Sequence, residues 1–286
     1  MRLFVFGFGY AARVLAVRLQ AQDWRISGTI RSPREREGLE ALGVTPVPVG
    51  NRREMERALG EADGVLVSAP PDDQGCPGLR RLVPALARTH AFPDWIGYIS
   101  TTSVYGDRRG GWVTETSRLA AQSPEGARRV GAERDWLEVG RGMGLTVGVF
   151  RLAGIYGPGR STLDRVRQGA ARRVAAPGQV FSRIHVDDLA AGLEASIARP
   201  RAGGIYNLCD DLPCSNNEVI AYAAELLGAP LPPEIPLAAA LQSPSAQRFY
   251  SENKRVSNAR AKAELGWRPA YPTYRQGLRA ILRAES

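Results

Sequence analysis

Gly7-Phe8-Gly9-Tyr10-Ala11-Ala12 follows a short apolar run, Leu3–Phe6, and opens a stretch with helical spacing, Ala11–Gln20. That context lifts a glycine pattern above chance, because a strand, a tight turn and a helix N-terminus together make an anion site. Gly7 permits the turn, Gly9 lets backbone approach a pyrophosphate, and Ala12 lets helix and strand pack closely. Gly7, Gly9, Tyr10 and Ala12 are therefore expected to hold a dinucleotide; the alternative is a plain glycine turn with no ligand. An NAD site usually places an acid about 20 residues beyond the glycines, and here that place falls to Arg31, with Thr29 and Ser32 beside it. A guanidinium cannot accept ribose hydroxyl protons, but it pairs with a 2′-phosphate. The expected cofactor is NADP, with NAD as the alternative if Arg31 is only a solvent-facing residue of an arginine-rich chain. Ser68 and Ala69, at the end of the apolar run Gly64–Ser68, complete the expected cofactor set.

A second chemical segment is Ile99-Ser100-Thr101-Thr102-Ser103-Val104-Tyr105-Gly106, where hydroxyls collect at the end of an apolar run. The elements that position both segments alternate. Strands are expected at Leu3–Phe6, Arg25–Ile30, Thr45–Val49, Gly64–Ser68, Trp95–Ser100 and Thr146–Leu152. Helices are expected at Ala11–Gln20, Arg34–Leu42, Arg52–Leu59, Leu79–Thr89 and Pro124–Gly140. This rhythm implies an α/β fold, a Rossmann-like doubly wound parallel sheet that binds ligands at the carboxyl ends of its strands. Beyond Gly157 the rhythm breaks: Thr162–Val174, Val186–Ala198 and Asn216–Leu227 read as helices, and Leu231–Gln247 as proline-rich connections. The expected organisation is a nucleotide-binding domain of residues 1–160 and 177–204, with a small C-terminal substrate lobe of 161–176 and 205–286.

Composition narrows the partners. A chain of 286 residues, 44% hydrophobic, can bury a sizeable core. No apolar run approaches the roughly 20 residues of a membrane helix, and the apolar start reads as a first strand, so a cytoplasmic location is expected. The net charge of +9 raises nucleic acid as a partner. Yet only Lys254 and Lys262 are lysine, and the arginines alternate with acids, as in Arg34-Glu35-Arg36-Glu37. That pattern reads as ion-paired helix faces, so no nucleic-acid partner is expected. Cys76, Cys209 and Cys214, with His90 and His185, form no metal-ligand spacing, and no metal is expected.

Further along come Arg151-Leu152-Ala153-Gly154-Ile155-Tyr156-Gly157-Pro158-Gly159, Ile184-His185-Val186-Asp187-Asp188-Leu189-Ala190, Ile205-Tyr206-Asn207-Leu208 and Glu264-Leu265-Gly266-Trp267-Arg268-Pro269. Together with the glycine turn and the hydroxyl segment, they resemble the extended short-chain dehydrogenase/reductase superfamily, the NAD-dependent epimerase/dehydratase group, over nearly the whole chain. By that resemblance Thr101 matches the active-site Ser/Thr that hydrogen-bonds the reacting oxygen, although a threonine ending a strand is also ordinary packing. Tyr105 and Tyr156 match positions lining the substrate cleft. Asp187 and Asp188 read as a helix-capping turn, and His185 as a packed histidine. The resemblance also makes a homodimer through two long helices plausible.

Two departures stand out. The family carries Tyr-x-x-x-Lys on its long helix, the tyrosine transferring the proton and the lysine lowering its pKa and holding the nicotinamide ribose. Ser123-Pro124-Glu125-Gly126-Ala127-Arg128-Arg129, aligned on Glu133, puts Glu125 on the tyrosine and Arg129 on the lysine. An i, i+4 ion pair between them is expected to keep the carboxylate charged, which leaves Tyr105 and Tyr156 as the candidate acids. Nucleotide-sugar enzymes of the family also often carry an arginine three residues before Ile-His, and here that residue is Phe181, with Arg183 and Arg160 as substitutes. Two functions follow: an atypical NADP-dependent oxidoreductase or epimerase acting on a small metabolite, or a non-catalytic NADP-binding protein that responds to cofactor redox state and contacts another protein.

Overall fold

The computed structural model describes residues 1–90 and 92–285. The chain opens with β1 (Arg2–Phe6), α1 (Tyr10–Gln20), β2 (Arg25–Ile30), α2 (Arg34–Glu40), β3 (Thr45–Pro48), α3 (Arg52–Gly60), β4 (Gly64–Val67), α4 (Pro77–Thr89) and β5 (Trp95–Thr101). A single 3-10 turn at Thr102–Tyr105 leads to β6 (Trp112–Val113), α5 (Pro124–Met143), β7 (Val147–Leu152), β8 (Gly154–Tyr156), α6 (Thr162–Arg167), β9 (Arg173–Ala175), β10 (Arg183–His185), α7 (Val186–Ala198) and β11 (Gly204–Leu208). The remainder is α8 (Asn216–Leu226), β12 (Glu234–Pro236), α9 (Leu237–Ala240), α10 (Pro244–Tyr250), β13 (Arg255–Val256), α11 (Ala259–Leu265) and α12 (Tyr274–Ala284).

A seven-stranded sheet runs in the order β11-β7-β5-β4-β1-β2-β3, and β1 pairs in parallel with both β2 and β4. The order reverses between β1 and β4, so the switch point that opens a crevice in such sheets falls beside the glycine turn. The helices form because their apolar residues recur on one face: α1 buries Ala12, Leu15, Ala16 and Leu19. Asn51 starts α3 by accepting the Glu54 N–H at 3.2 Å. On one side of the sheet Phe4, Val65, Ile96, Tyr98 and Val149 pack with Leu82, Leu86 and Trp136 of α4 and α5 into a continuous core. On exposed faces the arginine and acid repeats form ion pairs, Arg52 with Glu56 at 2.8 Å and Arg36 with Glu40 at 3.4 Å.

The chain divides into two compact units, Met1–Thr101 with Pro124–Arg151 and Ala190–Tyr206, and Thr102–Ser123 with Leu152–Leu189 and Asn207–Ser286. The second takes in Thr102–Ser123 as well as Leu152–Leu189, and so differs from the expected bounds of the lobe. For Thr102–Ser123 the reason is β6, which pairs with β13, Trp112 opposite Arg255, far along the chain. The second unit has its own core, where Leu163, Val219, Ala223, Leu278 and Ile281 meet.

The helix expected over Thr162–Val174 ends at Arg167. Gly169 then adopts a left-handed φ of 64°, and Arg173–Ala175 becomes β9 by pairing with β12. β12, α9 and most of α10 occupy the stretch read as proline-rich connections. Among the described residues no helix is long and apolar enough to cross a membrane, and no group of three or more His, Cys, Asp or Glu could hold a metal ion.

α8 begins with a reciprocal cap, in which Ser215 Oγ accepts the Glu218 N–H at 3.2 Å and Glu218 accepts the Ser215 N–H at 2.8 Å. Ser215→Ala should lower stability by about 1 kcal/mol. The measurement is a urea titration, in which the midpoint falls and the slope stays constant.

Candidate functional site

The glycine turn is pinned from both sides. Gly7 has a φ of 90°, and a Cβ built there would lie 2.6 Å from the Ala69 nitrogen, so both backbone angle and space demand glycine. Its N–H donates to Thr29 Oγ1 at 2.8 Å, and its carbonyl accepts the Ser68 hydroxyl. Gly9 forms the N-cap of α1, with no side-chain cap, and a Cβ on it would meet nothing within 4 Å. Ala12 is buried at 1% exposure under the turn. Gly28 was missed from the sequence; a Cβ there would lie 2.4 Å from Phe8 Cδ2. A glycine within a strand, where a side chain of the turn must pass, was the available signal.

Above this turn lies a cavity of about 600 Å³, within the range of about 300–1,000 Å³ usual for small-molecule sites. Gly7, Gly9, Thr29, Arg31, Ser68 and Ala69 line it, whereas Tyr10, Ala12 and Ser32 do not. Arg13, Glu35, Arg80 and Arg81 also line it, and none of these four came from sequence reasoning. Arg80 grips Asp72 with two bonds of 2.8 and 2.7 Å, which holds that carboxyl well below its usual range. The Arg31 side chain is 86% exposed and stands 3.5 Å from Glu35. Of the expected cofactor residues, Thr29 accepts from the turn and Ser68 spends its hydroxyl proton on it. The open space over Gly9, the uncapped helix end and the cavity arginines fit an elongated ligand that carries phosphates.

The end of β5 is held by α5. Ser100 donates to Glu133, and Arg151 Nη2 meets the same carboxylate at 2.7 Å with its Nε at 3.1 Å from each oxygen. All three are nearly inaccessible, at 3%, 2% and 3% for Ser100, Glu133 and Arg151. Glu133, an alignment landmark in the sequence, is a structural carboxylate here. The available signal was a charged pair inside otherwise apolar faces, an acid between Ala132 and Trp136 and an arginine ending Val-Gly-Val-Phe-Arg. Arg129 turns inward, donates to the Ile99 carbonyl, and places its guanidinium 5.8 Å from the Tyr98 ring centroid. Glu125 stays exposed.

The expected Glu125–Arg129 ion pair is thus not formed. An exposed i, i+4 pair is worth about 0.3–0.5 kcal/mol, less than a charge-assisted bond to a carbonyl beside an aromatic face. Half-buried Thr101 follows at the strand end that these contacts hold.

In the second unit the two tyrosines named as candidate acids are packed. Tyr105 is fully buried and donates to Asn207 Oδ1 at 2.7 Å, while the Asn207 N–H donates to Glu115 at 2.9 Å. Tyr156 sits edge-on to His185, with 5.2 Å between ring centroids, and its hydroxyl fills the space where a Cβ on Gly277 would be. Burial, with Asp210 and Asp188 nearby, pushes the Tyr156 hydroxyl far up. Both tyrosines are therefore packed inside the second unit, Tyr105 through its bond to Asn207 and Tyr156 against His185. His185 is 2% exposed and burial lowers its pKa, so it packs in the neutral form.

Asp187 and Asp188 stand in the first turn of α7, and the Asp188 carboxylate accepts the N–H groups of Ala270 and Tyr271 at 2.6 and 3.0 Å. Trp267 donates to the Asp188 carbonyl at 3.0 Å, so the two late motifs are one contact. Phe181 stacks on Phe249 with centroids 4.2 Å apart. Arg183, named as a substitute cation, donates to the Phe181 carbonyl at 2.9 Å and to the Cys214 carbonyl at 3.2 Å.

The chain matches the NAD dependent epimerase/dehydratase family over residues 3–209, and it belongs to that family. It is 28% identical over 287 aligned positions to Protein YeeZ of Escherichia coli K12, covering 94% of this chain and 95% of that one. A solved structure of a functionally unknown conserved protein from Silicibacter pomeroyi DSS is 48% identical with a TM-score of 0.92, covering 99% of this chain and 98% of the other. The dTDP-glucose 4,6-dehydratase of Bacillus anthracis, solved in complex with NAD, shares the fold at a TM-score of 0.81 and 19% identity, covering 99% and 96%.

Glu133→Ala would remove the carboxylate that compensates the buried Arg151 charge and should destabilise the protein by about 3–5 kcal/mol, read by chemical denaturation. Asp210 gives a pH test. Burial raises its carboxyl to about 8 from 3.8, so between those values the unfolded chain has released a proton that the fold still holds. The native protein therefore loses stability as pH rises through that window. Asp210→Asn removes the titration, and its melting temperature relative to the native chain should climb from about pH 4 to about pH 8. A constant difference would show that Asp210 ionises alike in both states.

Proposed function

We propose that the cavity over the Gly7–Ala12 turn binds NADP, and that the protein is an oxidoreductase or epimerase-type enzyme acting on a small metabolite. The observation that carries this reading is the turn itself, forced to glycine by the 2.6 Å approach to Ala69 and opening onto a helix end without a side-chain cap. In this reading the α1 N-terminus takes the pyrophosphate, and Arg31 takes the 2′-phosphate, with Arg13 a further cation lining the cavity. Charge-assisted hydrogen bonds contribute about 1.5–3 kcal/mol each, or about tenfold or more in affinity.

When bound, the nicotinamide supplies hydride transfer. The chain contributes the rest. Thr101, on a strand end secured by the Ser100–Glu133 and Arg129–Ile99 contacts, would hydrogen-bond the reacting oxygen. Arg129 is bonded to the Ile99 carbonyl of that strand, so its role is positioning. Glu125 occupies the tyrosine's place at an exposed site, and loss of a positioned acid typically costs about 10²–10⁴ in rate. That same replacement favours a second reading, a non-catalytic NADP-binding protein whose state reports on cofactor redox poise to a partner.

The test begins with calorimetry on protein stripped of carried-over ligand. Saturable binding of NADPH is expected, and Arg31→Asp should weaken it about tenfold or more relative to NADH; no uptake of either nucleotide would remove the reading. A metabolite screen then separates the two functions. NADPH consumption lost in Thr101→Val marks the enzyme, whereas tight binding without turnover marks the non-catalytic protein.

A further inference from the structure

We propose that Glu35 sets which pyridine dinucleotide the cavity accepts, and that Glu35 and Arg31 form an exchangeable pair that makes it a dual-cofactor site. With the pair closed, the Glu35 carboxylate accepts the ribose 2′-hydroxyl of NAD; with the pair open, Arg31 meets the 2′-phosphate of NADP. This rests on the cofactor reading above.

The geometry lies at the end of β2. Glu35, in the first turn of α2, accepts the Arg31 backbone N–H with Oε2 at 2.8 Å, and both residues line the cavity. That bond is to backbone, so it holds the carboxylate at the cavity wall wherever the arginine side chain goes. The guanidinium is held loosely by comparison, 3.5 Å from Glu35 Oε1 with 86% of its side chain exposed. Exposed pairs at such separations contribute little, so Arg31 is free to exchange the carboxylate for a phosphate.

The acid that an NAD site needs is therefore present four residues beyond the position where the strand would supply it. Thr29 is occupied with Gly7, which leaves Glu35 as the carboxylate acceptor at this end of the cavity. The same carboxylate would stand beside a 2′-phosphate and repel it, an element that works against NADP as Arg31 works for it. Arg13 adds a cation on the wall without an acidic partner among the described residues. The two side chains at the strand end thus pull in opposite directions, and the unaltered chain should discriminate weakly.

The test is calorimetric titration of the full chain with NADP⁺ and with NAD⁺, in the unaltered protein and in Glu35→Gln. The amide keeps an acceptor for the Arg31 N–H and removes the charge. The unaltered chain should bind the two nucleotides within about tenfold of each other, and Glu35→Gln should raise the preference for NADP⁺ by about tenfold. Arg31→Ala should move the preference the other way. Glu35→Ala, as a second replacement, must shift it in the same direction as Glu35→Gln. Binding of both nucleotides with a preference that neither Glu35 replacement moves overturns this proposal alone; binding of neither overturns the cofactor reading and this proposal with it.

Discussion

The backbone of Gly7 passes so close to Ala69 that no side chain fits between β1 and the end of β4. Two hydroxyls hold that approach, Thr29 from β2 accepting the Gly7 N–H and the Ser68 hydroxyl donating to the Gly7 carbonyl. Three neighbouring strands are thereby tied at one point, where the sheet order reverses. The crevice, the exposed Gly9 backbone and the start of α1 all follow from that tie. Residues that look like cofactor donors in a linear reading are the ones that shape the cavity for it.

A second set of polar contacts governs the end of β5. The Glu133–Arg151 pair is almost wholly buried, and its charges are tolerable only because each oxygen of Glu133 is bonded, one of them also to Ser100. Burying such a pair is weak evidence for net stability, whereas removing one partner leaves an uncompensated charge and is strongly destabilising. Arg129 adds a bond to the adjoining Ile99 carbonyl. On the same helix Glu125 is exposed, while Arg129 turns to backbone. Scaffold and chemistry are separable: the strand end is positioned whether or not a proton donor stands beside it.

The second unit uses polar groups for assembly. Asp188 joins the start of α7 to the chain around Trp267, Ala270 and Tyr271, and Tyr105 joins the turn after β5 to Asn207. Motifs widely separated in sequence are single contacts in space. Their value lies in satisfying buried donors and acceptors, which would otherwise cost more than the bonds themselves contribute.

The alternation of strands and helices, the glycine turn and the residue types at Arg31, Glu125 and Arg129 were all legible in the sequence, because each is written in local spacing or residue type. Contacts between distant positions were not. Nothing local distinguishes Thr29 as a brace for Gly7, Glu133 as the partner of Arg151, or Arg173–Ala175 as a strand waiting for Glu234–Pro236. Whether Arg129 would meet Glu125 or the Ile99 carbonyl was likewise a contest between a weak exposed pair and a stronger half-buried bond, and only packing against β5 decided it. Sequence by itself determined which groups are available and the period of the elements that carry them; the tertiary structure decided which of those groups face each other, because that depends on burial and on partners brought together only when the sheet closes.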